Sequence, residues 1–305
     1  MRAMERPSRT GLIALLIAVE VVIAGVALYT LRGAGFASAG GFHAVDYSAP
    51  PIAPISVGVA PVVTVDDIDS RIIVTPSNDG MVHVTDRTEV HGLIFGSEHA
   101  QALQVTRTLD GVRVYRPAGH FTLGDTTNRV EISVPPMTQL KISRSGGDDI
   151  SGLQNGIDVV SQDGHITLDD VKGDIKAHSD DGRVELSNIS SNSIDASTND
   201  GHVYATQLQM TGASPRATLH SDSGSMRISG TFPAGSYAFT TGDGRIELSL
   251  LQGSDANVDA STGDGHVVVD GRDQAGQPIR VGAGSAAMRL RSEDGSVHIT
   301  TNGAL

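Results

Sequence analysis

From residue 156 onward the chain alternates apolar and polar positions in short runs, and the runs share one template. It reads apolar, any, apolar, any, Ser/Thr, any, Asp, Gly, any, apolar, any, apolar. Seven segments fit, centred on Gly164, Gly182, Gly201, Gly224, Gly244, Gly265 and Gly295. Taking that glycine as zero, position −7 runs Ile157, Ile175, Ile194, Ala217, Tyr237, Val258, Met288. Position −5 is also apolar, from Val159 to Leu290. Position −3 is always Ser or Thr (Ser161, Ser179, Thr198, Ser221, Thr241, Thr262, Ser292), and −1 is Asp except at Ser223. Positions +2 and +4 are apolar, as in Val203 and Ala205 or Ile246 and Leu248. Strict alternation predicts strands with one face buried. Asp-Gly is expected to supply a turn residue with φ > 0, with the Asp carboxylate capping turn N–H groups.

The glycines are spaced 18, 19, 23, 20, 21 and 30 residues apart, with no helical pattern between them. Units this short cannot bury their apolar faces alone and must stack. Two stackings are open, a β-solenoid in which equivalent positions pile up and a meander of Asp-Gly hairpins. A period near 20 with the same residue in the same slot favours the solenoid. An eighth copy is expected around Gly80, from Ile73, Ser77, Asp79, Val82 and Val84. Between residues 63 and 155 the pattern is looser, with strands expected around Ile72–Val74, Val82–Val84, Val105–Thr108, Val112–Tyr115 and Val130–Val134.

The run Val130-Glu131-Ile132-Ser133-Val134-Pro135, then Leu140-Lys141-Ile142-Ser143, then the serial S-x-D-G-x-[IV] units resembles the bacterial putative-adhesin family of β-strand-repeat domains of unknown function. The resemblance covers roughly residues 65–303. It implies an envelope-associated, all-β, non-catalytic protein and brings no catalytic or binding residues with it. Ser145-Gly146-Gly147-Asp148-Asp149-Ile150 departs from the pattern and leaves the first unit's register open.

Composition narrows the picture. With 36 Gly, 4% aromatics and no Trp, the chain suits a thin core of small aliphatics. The absence of Cys removes disulfides, thiol catalysis and Cys-based metal sites.

Gly11–Leu31 is a 21-residue apolar run whose one charge is Glu20, long enough to cross a bilayer core. Arg2, Arg6 and Arg9 precede it, which places the N-terminus in the cytoplasm and the rest outside. A cleaved signal peptide is the rival, with Ala37-Ser38-Ala39 as the cleavage-like site. The length of the run and the position of Arg32 favour an uncleaved anchor. Glu20 is read as an acid tolerated in one isolated helix, with pairing to another membrane helix as the alternative.

The expected organisation is therefore a cytoplasmic tail (1–10), a transmembrane signal-anchor helix (11–31) and a Gly/Ala/Pro-rich tether (32–62). A less regular β-rich start (63–155) and the regular repeat domain (156–305) follow. The fold class is all-β, a β-solenoid-like stack behind one N-terminal transmembrane helix. The expected location is the cell membrane, single-pass, with the C-terminal domain extracytoplasmic.

Residues 1–32 carry +2, so the remainder of a chain at −13 carries −15. A surface that acidic repels nucleic acid, which is rejected as a partner. Expected partners are the lipid bilayer through residues 11–31, an envelope protein or surface polysaccharide, and a second copy of the chain.

Motifs for hydrolases, zinc proteases, nucleotide loops and calcium loops are absent from the sequence. No catalytic, cofactor or metal residues are assigned. Position +1 gives the candidate binding face, His165, Arg183, His202, Arg245 and His266, which alternation points outward in a basic column beside the Asp column. The bland alternative is a solvated face whose cations balance neighbouring carboxylates. Calcium across the Asp column is set aside, since turn capping already accounts for each Asp. The functional reading is an adhesin-like binding or scaffolding module. The alternative is a polysaccharide-active β-helix lyase or hydrolase, which needs carboxylates converging in a groove.

Overall fold

A computed structural model describes residues 43–66, 70–95, 102–117, 121–274 and 277–301. The segment 11–31 lies outside them, and no helix of the described residues is long and apolar enough to cross a membrane.

Each template unit places one strand before its turn and one after it, in two different sheets. Ile157–Ser161 pairs in parallel with Ile175–Ser179, and Ile166–Asp169 with Val184–Ser187. The pattern repeats up the stack with equivalent slots opposite one another, for example Val184↔Val203↔Met226↔Ile246. That is coil stacking rather than a hairpin meander. The +2 residues are all at most 3% exposed, and Ile157, Ile175, Ile194 and Phe239 are equally buried, as alternation predicts.

A second corner follows the post-turn strand. Asp170, Asn188 and Gln207 occupy the left-handed region at φ 52°, 54° and 54°, and Gly152 does so at 70°. This reverses the chain so that Val171, Ile189 and Leu208 also point into the core. The three largest fully buried side chains among the described residues gather in one coil. There Phe232 meets Tyr237 and Phe239 edge-on, at 5.1 and 5.9 Å between ring centres.

The turn works differently from the sequence expectation. None of the seven turn glycines has positive φ. A Cβ there would lie 1.6–2.0 Å from the carbonyl oxygen of the adjoining coil's glycine at Gly182, Gly201, Gly224, Gly244, Gly265 and Gly295. Glycine is required because two backbones touch. The Asp carboxylates do not cap the turn in the described hydrogen bonds. Their own N–H groups bond to backbone carbonyls of the adjoining coil instead, such as Asp181 to Gln162 at 3.0 Å and Asp243 to Asp222 at 3.1 Å. The Ser/Thr hydroxyl at −3 is the recurring cap, donating to the adjoining glycine carbonyl: Ser179 to Gly164 at 2.8 Å, Thr198 to Gly182 at 2.7 Å, Ser292 to Gly244 at 2.7 Å.

The stack is not built in chain order at its ends. The Gly295 coil inserts between the Gly244 and Gly265 coils. At the other end the coil of Val62–Asp66 and Arg71–Pro76 sits inside that of Gly111–Tyr115 and Arg129–Val134. Antiparallel strands close both outermost coils, Gln104–Arg107 and Met81–Asp86 at one end, Arg272–Asp273 and Ile279–Val281 at the other. They cover edges that would otherwise pair with another chain. Gly80, read as an eighth copy, belongs to this capping region. Its φ is 70°, and its flanking strands Arg71–Pro76 and Met81–Asp86 lie in one sheet on either side of Arg129–Val134. The S-x-D-G string there makes a different turn, in which Asp79 does cap Met81 N–H at 3.0 Å. Part of the stretch read as a tether is also in strands, with Ile55–Ser56 on Met81–Val82 and His43–Ser48 on Glu89–Ile94.

Candidate binding face

The five sequence-chosen residues His165, Arg183, His202, Arg245 and His266 are all exposed and lie in one column on the post-turn sheet. The stack separates His266 from Arg245 by the Ser296 coil. Two of the histidines serve the stack itself. His165 Nδ1 accepts the N–H of Arg183, and His202 Nδ1 that of Ser225, both at 3.0 Å. A neutral ring in that geometry carries its proton on Nε2.

Register adds residues that the column alone missed. Two positions further along each strand run Asp149, Thr167, Glu185, Tyr204, Arg227, Glu247 and His298. Tyr204 stands between two guanidiniums, Arg183 at 5.3 Å and Arg227 at 6.0 Å from its ring centre, with His202 at 5.9 Å. Beside it, Glu247 is held by Arg227 at 2.9 Å and Arg245 at 3.6 Å. The hydrogen bond and charge of Arg227 hold the Glu247 carboxyl below the usual range. His202, Tyr204, Ser225, Met226, Arg227, Arg245 and Glu247 line an open groove of about 380 Å³. The other cations are balanced locally: Arg71 on Asp149 at 2.6 Å and Arg183 near Glu185 at 3.9 Å.

The turn edge beside this face is acidic. Asp163, Asp181, Asp200, Asp243, Asp294 and Asp264 stand exposed along the stack, interrupted at Ser223. Among the described residues no group of three His, Cys, Asp or Glu side chains is placed to hold a metal ion.

The first coil breaks the pattern. Ser145 aligns with Ser161 and Asp148 with Ile166, so two residues, Gly146 and Gly147, span what four span elsewhere. Asp148 therefore occupies an aliphatic slot, 1% exposed between Ile72 and Ile166. Ser145 donates to one of its oxygens, and the other has no partner. Burial pushes its carboxyl up to about 7. A notch of about 300 Å³ opens over the shortened turn, lined among others by Arg71, Asp149, His165, Arg183 and Glu185. It collects carboxylates, but Asp149 and Glu185 are each beside an arginine, and Asp148, whose carboxyl burial pushes up, has its oxygens in the core.

The opposite face carries Ser197 Oγ 2.8 Å from His178 Nδ1, with His178 Nε2 3.1 Å from Asp180. The order matches a nucleophile, base and orienting acid. Ser197 lies mid-strand in parallel pairing on both sides, however, so its flanking N–H groups serve the sheet and not an oxyanion.

The fold and face together define an all-β repeat protein of stacked parallel coils with a charged, aromatic-bearing outer sheet. The Toastrack DUF4097 family model matches residues 63–300, and the chain belongs to that family. Among curated proteins nothing matches the chain. Solved structures similar to the chain include two that cover most of it. One is a “putative cell adhesion protein” from Clostridium sporogenes, 11% identical over 86% of this chain and 99% of that one, TM-score 0.30. The other is a “putative adhesin” from Bacteroides fragilis, 13% identical over 86% and 97%, TM-score 0.36.

Proposed function

We propose that the chain is an adhesin-like binding or scaffolding module of the bacterial envelope, anchored through residues 11–31 with its repeat body outside the cytoplasm, and acting without catalysis. One observation carries the reading. Apart from the exposed Asp, the recurring residues are used up by stacking: glycine for backbone contact, Ser/Thr for the carbonyl cap, aliphatics for the core. Side-chain variety is left to the outer faces, and it is richest around Tyr204. An active site instead needs unlike groups converging at one place.

The membrane part of the reading rests on the apolar run behind Arg2, Arg6 and Arg9. A reporter enzyme that works only outside the cytoplasm, fused after Leu305, should be active, and the protein should fractionate with membranes. The binding part is tested by incubating the full chain with cell-envelope polysaccharide, measuring both retention and chain length of the polymer. Retention with unchanged polymer length is expected. Sustained shortening of the polymer would replace the binding reading with the lyase or hydrolase one.

A further inference from the structure

We propose that the groove beside Tyr204 is a subsite for a single acidic sugar, a uronate or similar carboxylated residue within or at the end of an otherwise neutral glycan. The inference rests on the binding reading above and names its ligand class.

The groove carries an unbalanced positive charge. Arg227 and Arg245 share one carboxylate, Glu247. Two guanidiniums against one carboxylate leave the groove one positive charge, on a chain of net −13. One ligand carboxylate completes the neutralisation, in the fork geometry that guanidinium groups favour.

Shape and hydrogen-bond donors suit the same ligand. Tyr204 holds the guanidiniums of Arg183 and Arg227 against its ring. Stacking of this kind leaves the in-plane N–H groups free to reach outward. His202 spends Nδ1 on the Ser225 backbone, which turns its remaining N–H into a donor for the groove. A sugar ring presents both hydroxyl acceptors and apolar C–H faces, and the groove offers donors beside an aromatic edge. Its volume of about 380 Å³ falls within the ~300–1,000 Å³ typical of small-ligand clefts.

The groove's surroundings favour an isolated charge over a polyanion. The acidic turn edge lies two residues from the basic column, at most roughly 7 Å away along the chain. That is within the ~8 Å screening length at physiological salt. A polymer charged at every sugar would lie along the column and meet Asp181, Asp200 and Asp243 throughout its length. One carboxylate seated between Arg227 and Arg245 avoids them.

The test is calorimetry and glycan-array binding with the purified full chain. Probes are an oligosaccharide ending in glucuronate, the same oligosaccharide ending in glucose, and polygalacturonate. The glucuronate-ended probe should bind best. Arg227→Gln with Arg245→Gln should weaken it roughly 10- to 100-fold, the usual worth of a charge-assisted hydrogen bond, while leaving thermal unfolding unchanged. Tyr204→Leu should weaken it as well. Equal binding of the glucose-ended probe, stronger binding of polygalacturonate, or indifference to the arginine changes would overturn the subsite. If envelope polysaccharide is still retained in those cases, only the subsite falls. If nothing is retained, the binding reading falls with it.

Discussion

At the scale of single residues, the repeat motif is a set of answers to one problem, how closely two backbones can approach. Gly182 is glycine because the Gly164 carbonyl occupies the space a side chain would need. Gly182→Ala should therefore cost at least ~4 kcal/mol, the range reserved for core disruption. Gly80 has open space around it and only its φ of 70° to defend, so Gly80→Ala should cost ~1–2 kcal/mol. Chemical denaturation of the two variants separates the explanations, because a motif acting through positive φ would make the costs alike. Ser179→Ala should remove the cap of a buried carbonyl and cost about 1–3 kcal/mol. Asp148 gives the chain an unusual pH response. Its folded pKa is raised to about 7 from 3.8, so the folded state holds a proton that the unfolded state has already released between those values. Its contribution to stability is complete below about pH 4 and declines as pH rises toward about 7, by roughly 4 kcal/mol in all. Asp148→Asn should flatten that slope, with wild type and variant converging near pH 4 and the variant more stable at pH 8. A wild-type curve rising through that interval would contradict an acid buried in protonated form.

At the scale of elements, alternation placed nearly every side chain, and register followed from it. The half-buried residues Ala260 and Val269 belong to the outer Gly265 coil, which has a neighbouring coil on only one side. The order of the coils was not legible. Every unit presents the same slots, so the pattern cannot say which unit stacks on which, and only the 30-residue gap before Gly295 hinted at an excursion. That gap holds the antiparallel strands that close the stack before the chain returns to insert its last coil. In that inserted coil Val297 is fully buried between Ile246 and Val267. Val297→Asp should consequently destabilise as much as Val203→Asp, each by ~4 kcal/mol or more, since neither charge would find a partner. Val269→Asp, on the outer coil, should cost less. Thermal unfolding of the three variants checks this, and a mild Val297→Asp would argue for sequential stacking. The Gly80 copy misled for a related reason: the string S-x-D-G fits two turns, and what selects one is whether another coil lies against the glycine.

At the scale of the whole molecule, the chain presents an acidic edge beside a sheet whose cations are only partly neutralised. The basic column His165, Arg183, His202, Arg245 and His266 could be read from the sequence because its members share one slot. Tyr204 and Arg227 could not, since their importance comes from neighbours one coil away rather than from their own strand. The two acidic and basic surfaces also give the most direct test of the claim that the outer sheet, and not the repeat motif, does the binding. Retention of the full chain on envelope polysaccharide should be measured for wild type, for Arg183→Gln with Arg227→Gln and Arg245→Gln, and for Asp181→Asn with Asp200→Asn and Asp243→Asn. All three proteins should unfold at similar temperatures, because every altered side chain projects from the outer surface. The arginine variant should lose retention while the aspartate variant keeps or improves it. Retention that survives the arginine changes and disappears with the aspartates would place binding on the acidic turn edge instead.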